Sequence, residues 1–259
     1  MRTVNLLVLA LAACAIVGCP KPATVSAPVA DIVVALDGSG DHSSIQSAIG
    51  AARAGDVIYV KAGIYREALS VGEDKRVRLV GAGPGAAVVD AGDEYAALTL
   101  AGNDCHIEGF TIRGASSHGI YVKGAGHQVR RCLVVENGDR GVYFSSFGGR
   151  PSARIEHCTV ADNGVSGVYI PNGNPESAVS YCIIAFNGRG IVSDDDGGGL
   201  EVEHNCVFES GSALSDIKAG RTNMEKDPRF VAREEGDYRL HKASPCIGTA
   251  KDGMNLGCF

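Results

Sequence analysis

Three consecutive carboxylates, Asp194, Asp195 and Asp196, precede three glycines and then Glu201 and Glu203, forming the densest acidic stretch of the chain. Hard oxygen donors on a glycine-rich loop suit calcium, which makes these aspartates the candidate metal ligands and Ca2+ the candidate cofactor. The spacing is not that of an EF-hand, and the same run also reads as a solvated loop with no metal. A second constellation is aromatic. Tyr121, Tyr143 and Tyr169 stand 22 and 26 residues apart, each flanked by apolar neighbours such as Ile120 and Val122. Alternation turns the flanking residues inward and the rings outward. An outward file of rings either receives the apolar faces of sugars or simply covers a sheet. His118, Lys123 and Arg140 give that file polar neighbours. The seven histidines are scattered, and no Ser-His-Asp arrangement can be argued from their positions. His157 and His204 share a repeat position, a sign of repetition.

The residues that must hold these groups in place are repeats. Segments beginning at Ile107, Val129, Ile155, Val179 and Val202 align, with starts 22, 26, 24 and 23 residues apart. Short β-type runs punctuated by Gly and Asn at this period are the mark of a solenoid. The fold expected is all-β: a single-stranded, right-handed parallel β-helix in which each repeat is one coil and like residues stack. Asn137-Gly138, Asn163-Gly164 and Asn187-Gly188 recur at one position. Asn tolerates left-handed backbone and its amide can bond along the file, so this ladder is read as structural.

Cys132, Cys158 and Cys182 also share one position, with Phe110 before them, and Cys206 joins them if Asn205 is a bulge. The sulfurs are expected to face inward, as buried free thiols or as disulfides between neighbouring coils, with free thiols favoured. Cys246 and Cys258 are the better disulfide candidates.

The ends of such a core need covers. Ser43 and Gln46 have capping-box spacing, and Ile45, Ala48, Ile49 and Ala52 form one apolar stripe, so a short α-helix at about 43–53 is expected to lid the first coil. The strand at residues 57–60 is read as the first of the coils, and 222–259 as a closing segment.

Residues 1–18 read as an export signal, with Arg2 followed by an apolar run at 6–17 too short to span a bilayer. Ile16-Val17-Gly18-Cys19 resembles a bacterial lipobox, which implies lipidation at Cys19 and membrane attachment through that anchor. Residues 19–30, rich in Pro and small residues, are then a tether, and 31–259 the β-helix domain. Pro20 in place of Asp implies, by the same resemblance, the outer membrane of the cell envelope. With a net charge of −6 and no basic block, the chain lacks the footprint of a nucleic-acid partner.

The stretches Asp37-Gly38-Ser39-Gly40-Asp41, Ile45-Gln46-Ser47-Ala48-Ile49 and Gly63-Ile64-Tyr65-Arg66-Glu67 resemble the opening of pectin-lyase-like β-helix proteins. Asp227-Pro228-Arg229-Phe230, Gly236-Asp237-Tyr238-Arg239-Leu240 and Ser244-Pro245-Cys246-Ile247 resemble the closing segment of secreted right-handed β-helix repeat proteins. The resemblance implies the fold over 31–259 and leaves the activity open, because the superfamily holds lyases, esterases, epimerases and non-enzymes. Gly63 to Glu67 matches the GxYxE element of pectin methylesterases, but the chain has no Gln-Asp pair, no DFxFG and no LGRPW, so that activity is rejected. Lyases of similar fold use calcium against a uronate carboxylate and Lys or Arg as base. By that resemblance Asp194–Asp196 would hold Ca2+, and Arg189, Arg140 or Lys123 would be the base. The reading preferred is an exported, envelope-tethered lipoprotein binding polysaccharide or another surface ligand through Tyr121, Tyr143 and Tyr169. A calcium-dependent lyase and a structural surface protein without a small ligand are the alternatives.

Overall fold

The computed structural model describes residues 29–146, 149–171, 176–194, 199–215, 217 and 220–259. Cys19, the signal segment, most of the tether, Asp195 and Asp196 lie outside the described residues.

The chain winds through three parallel sheets, one strand of each per coil, for seven coils. Sheet one has eight strands, from Ile32–Val34 and Val57–Val60 to Ala178–Ser180 and Glu201–Glu203. Sheet two runs from Gly63–Tyr65 through Leu133–Val135, Thr159–Ala161 and Ile183–Ala185 to Cys206–Phe208. Sheet three runs from Leu69–Val71 through Ala96–Leu100, His118–Val122, Arg140–Phe144 and Ser166–Tyr169 to Leu214–Ser215. The strand at 57–60 is not the first of sheet one: Ile32–Val34 pairs against it from the preceding segment.

Successive side chains alternate faces, so each coil sends aliphatic groups into one shared lumen. Leu79, Ile107, Val129, Ile155 and Val179 form one inner file, and Ile112, Val134, Val160 and Ile184 another, all essentially without solvent exposure. Each such side chain contributes roughly 1.5–3 kcal/mol of burial.

The lid is the helix Ile45–Ala51, which buries Ile45, Ala48 and Ile49. Its N-cap is Ser44, one residue later than the spacing suggests; the Ser44 side chain accepts from Ser47 N. Gln46 does not complete a box. Its amide instead exchanges two hydrogen bonds with the Ser70 backbone, at 2.7 and 3.1 Å. The carboxylate that closes the helix start is Glu67, which accepts from Ile45 N at 2.8 Å, Gln46 N at 3.1 Å and Ser44 Oγ at 2.8 Å. A helix start leaves several amide donors without partners, and an anion there is doubly favoured.

The bend between sheets two and three carries the Asn ladder. Asn137 Nδ2 donates to Asn163 Oδ1 at 2.9 Å, and Asn163 Nδ2 to Asn187 Oδ1 at 3.0 Å. The left-handed backbone falls on the residue before each Asn, namely Glu136, Asp162 and Phe186, rather than on the Asn itself. Each glycine after the Asn is required by stacking. A Cβ on Gly164 would lie 2.2 Å from Gly138 O, and one on Gly188 2.6 Å from Gly164 O.

The cysteine file is shorter than the sequence suggests. Leu133, Thr159 and Ile183 stand in register, which stacks Cys132, Cys158 and Cys182. Below them Asn205, not Cys206, continues the file: Cys182 N donates to Asn205 Oδ1 at 2.9 Å, and Cys206 pairs with Ile183 on the outward side. All seven cysteines among the described residues are free thiols, so Cys246 and Cys258 are not bridged. Full burial pushes the Cys132 and Cys158 thiols well above their ordinary range.

The closing segment does not end the solenoid like a plug. Beyond Met224, which bridges to Cys206, it turns back along the outer face of sheet two. Tyr238 packs on Leu133, Val135 and Ala161, and its hydroxyl donates to Asp162 Oδ2 at 2.9 Å. Gly257 N donates to Tyr181 O at 2.9 Å. This wrap is why Leu133–Val135, Thr159–Ala161 and Ile183–Ala185 are buried on both faces.

Candidate functional site: the outer face of sheet three

Register places Ser70, Thr99, Tyr121, Tyr143 and Tyr169 in one outward file. The rings are half-buried and contact one another: Tyr121 and Tyr143 stack at 5.2 Å between centroids and 22°, Tyr143 and Tyr169 at 5.6 Å and 39°. The outward direction expected from alternation holds. A flat strip of open ring faces does not form, because neighbouring rings lie against one another from coil to coil, and the hydroxyls of Tyr121 and Tyr169 are bonded to Ser145 and Asp194.

A parallel file lies beside it at the start of the strands. His118 pairs with Arg140, and Arg140 with Ser166. Both His118 and Arg140 belong to the strands themselves rather than preceding them. The Arg140 guanidinium lies over two rings, 5.0 Å from the centre of Tyr143 and 4.8 Å from that of Tyr169. It also pairs with Asp139. Arg189 is not in the neighbouring repeat. With Val168 opposite Ile191, it stands two coils from Arg140, and Ser166 lies between them.

His118 is buried against Tyr143 at 4.4 Å, and its Nε2 is 3.1 Å from the Tyr95 hydroxyl. Burial holds its pKa down to about 4, with Arg140 lowering it further and Asp139 opposing. The imidazole is therefore neutral near pH 7. Tyr95, 57% exposed, adds an edge-on ring at 6.2 Å from Tyr121. Sequence reading missed Tyr95; its spacing of 23 residues before His118 was the available signal.

Lys123 sits at the other end of the strand, its Nζ 5.8 Å from the Tyr121 ring centre. It lines an open groove of about 670 Å³ with Glu73, Asn103, Tyr121 and Ser145. Asp194 accepts a hydrogen bond from the Tyr169 hydroxyl, which together with burial raises the phenol to about 12. Among the described residues no group of three His, Cys, Asp or Glu side chains is arranged to hold a metal ion. The three candidate bases are thus dispersed: Arg140 is committed to rings and a carboxylate, Lys123 faces the groove, and Arg189 lies two coils away.

The GxYxE element has a structural use. Tyr65 is buried, its hydroxyl donating to Lys61 O at 3.0 Å, while Glu67 caps the lid helix. A second stack, His157, Tyr181 and His204, marks the bend between sheets one and two, with centroids 5.1 and 5.2 Å apart.

Comparison with known proteins agrees with this architecture. A family model described as pectinesterase matches residues 31–115, the lid and the first coils. "Pectinesterase 2" of Citrus sinensis is 48% identical over 66 residues, covering 24% of this chain and 13% of that relative. Among solved structures, a mannuronic acid specific polysaccharide family 6 lyase from human gut microbiota superposes with a TM-score of 0.50. It is 16% identical and covers 70% of this chain and 49% of its own. Pectate lyase Pel9A gives 0.47 at 11% identity over 83% and 90%, and pectin methylesterase from carrot 0.41 at 15% over 78% and 79%. At 16% identity the likeness to the family 6 lyase is one of fold. A model described as right handed beta helix region spans residues 88–227, over half of the 259, and with seven coils around one lumen the chain belongs to that right-handed β-helix family.

Proposed function

We propose that the outer face of sheet three binds an acidic polysaccharide. The observation that carries this reading is the pairing of two cations with one aromatic file: Arg140 over Tyr143 and Tyr169, and Lys123 beside Tyr121 in an open groove. Ring faces engaged with each other leave ring edges beside the cations, which suits carboxylated sugars better than neutral ones. The partial matches to pectinesterases support a polysaccharide as the ligand. Export and lipidation at Cys19 belong to the same proposal and rest on residues 1–19; labelled fatty acid should enter the wild-type chain and not Cys19→Ser.

Affinity electrophoresis in gels containing polygalacturonate, alginate or dextran tests the binding. Retardation by the uronic-acid polymers, absent in dextran and weakened in Lys123→Ala and Arg140→Ala, is expected. Equal mobility in all gels sinks the reading. Calcium-dependent growth of unsaturated-uronate absorbance would replace it with a lyase, whose metal would involve Asp194.

A further inference from the structure

Cys206 and Cys246 approach each other from two directions. Cys206 is on the last strand of sheet two with its side chain turned away from the lumen, and Cys246 is on the wrap. Both are completely buried, and they share a satellite core with Ile183, Ala185 and Leu256. The Cys206 thiol donates to Lys226 O at 3.0 Å, and the two thiols are close enough to perturb one another, raising Cys206 and lowering Cys246. Each backbone is held in place: Cys206 N donates to Cys182 O at 2.9 Å, Cys246 N to Ser244 Oγ at 3.1 Å, and Leu256 N to Cys246 O at 2.9 Å.

The lumen cysteines have a different geometry. Cys132, Cys158 and Cys182 project in parallel from in-register strands, so their Cβ atoms keep the strand spacing of about 4.8 Å. A disulfide wants Cβ atoms about 3.5–4.5 Å apart and facing one another. Parallel stacked strands hold their side chains too far apart for that demand, whereas side chains converging from opposed elements into one buried cluster can reach it. Cys258 is turned elsewhere, its backbone N donating to Thr159 Oγ1 at 3.3 Å.

We propose that Cys206 and Cys246 form a disulfide that fastens the C-terminal wrap to the last coil. The oxidant is a disulfide, small or protein-borne. The Cys246 thiolate attacks one sulfur of that disulfide, one thiolate leaves, and a mixed disulfide forms. Cys206 then loses its proton and attacks the Cys246 sulfur, expelling the second thiolate. Two S–H bonds and the oxidant's S–S bond are lost, one S–S bond forms in the protein, and two electrons and two protons reach the oxidant. Cys246 is the attacking sulfur because its thiol is lowered while that of Cys206 is raised. The two residues are 40 positions apart, so the bond closes a long loop and restrains the unfolded chain strongly.

The test uses the full chain, purified reduced and then equilibrated with oxidised glutathione, denatured and alkylated. Two fewer thiols should be alkylated than in the reduced protein, and a non-reduced tryptic digest should contain peptide 190–218 joined to peptide 243–251. Limited tryptic cleavage at Arg229, Arg233 and Arg239 should be about tenfold slower in the oxidised protein. Cys246→Ser should show no such redox difference. An unchanged number of alkylatable thiols, a glutathione adduct on one cysteine, a link through Cys258 or the lumen file, or unchanged wrap cleavage in the linked protein would each overturn the proposal. None of these readouts depends on polysaccharide binding.

Discussion

The Arg140 guanidinium carbon lies over Tyr169, 4.8 Å from the ring centre, and links two coils through side chains alone. Stacking of this kind contributes roughly 0.5–2 kcal/mol, and the guanidinium, paired with Asp139, brings positive charge to the outer face of the sheet. Arg140→Ala should weaken binding of a uronic-acid oligosaccharide about tenfold, while thermal stability falls by about 1 kcal/mol or less. Arg140→Lys keeps the charge and loses the planar stack, so it should recover only part of the affinity. Titration calorimetry beside thermal melts separates the two effects.

Glu67 accepts two backbone donors and a hydroxyl at the start of the lid helix. Glu67→Gln keeps the shape and removes the charge; Glu67→Ala leaves those donors without an acceptor. The losses should be about 1 and about 2–3 kcal/mol respectively, read as shifts in the denaturant midpoint. Tyr121 stands two coils along sheet three from Ser70, so ligand affinity should be unchanged in both.

Asn163 occupies the middle of the buried ladder. It accepts from Asn137 N and Nδ2, and it donates to Val134 O, Ala161 O and Asn187 Oδ1. Asn163→Ala strands several buried polar groups together, and a cost above about 3 kcal/mol is expected. Asn163→Asp removes the donor amide in a closed file and should be comparably harmful. Equilibrium unfolding measures both. A loss below 1 kcal/mol would mean that the ladder is incidental.

His118 and His127 are buried, and burial lowers each to about 4, with Asp139 and Asp104 respectively opposing the shift. In the unfolded chain each titrates near 6.5, so between pH 6.5 and 4 the unfolded state binds the extra protons. The native state therefore loses stability as pH falls through that window and gains nothing from these groups above it. About 2 kcal/mol per histidine should be gone by pH 5 relative to pH 7.5. Denaturation at the two pH values, repeated on His118→Gln, should show roughly half of this histidine-dependent loss removed.

The coils, the inward aliphatic files, the outward tyrosines and the Asn ladder were all legible in residue spacing. A parallel solenoid turns local alternation and a fixed repeat directly into position, so one strand's pattern fixes its neighbour's. The cap was read one residue early because its decisive partner, Glu67, comes from the next coil rather than from the helix itself. Cys206 joins the cysteine file only if Asn205 bulges, and nothing local distinguishes such a bulge from the register observed, in which Asn205 takes the inward place.

The sequence by itself determined which side chains stack, because stacking follows from period and alternation, and both are properties of neighbouring residues. Only the tertiary structure decided what the stacks touch. Tyrosine faces close on one another, Arg140 folds over them, and the C-terminal segment returns to bury the far side of sheet two and to bring Cys246 to Cys206. Those contacts join residues with no shared period, and they depend on how a finished surface receives a distant piece of chain.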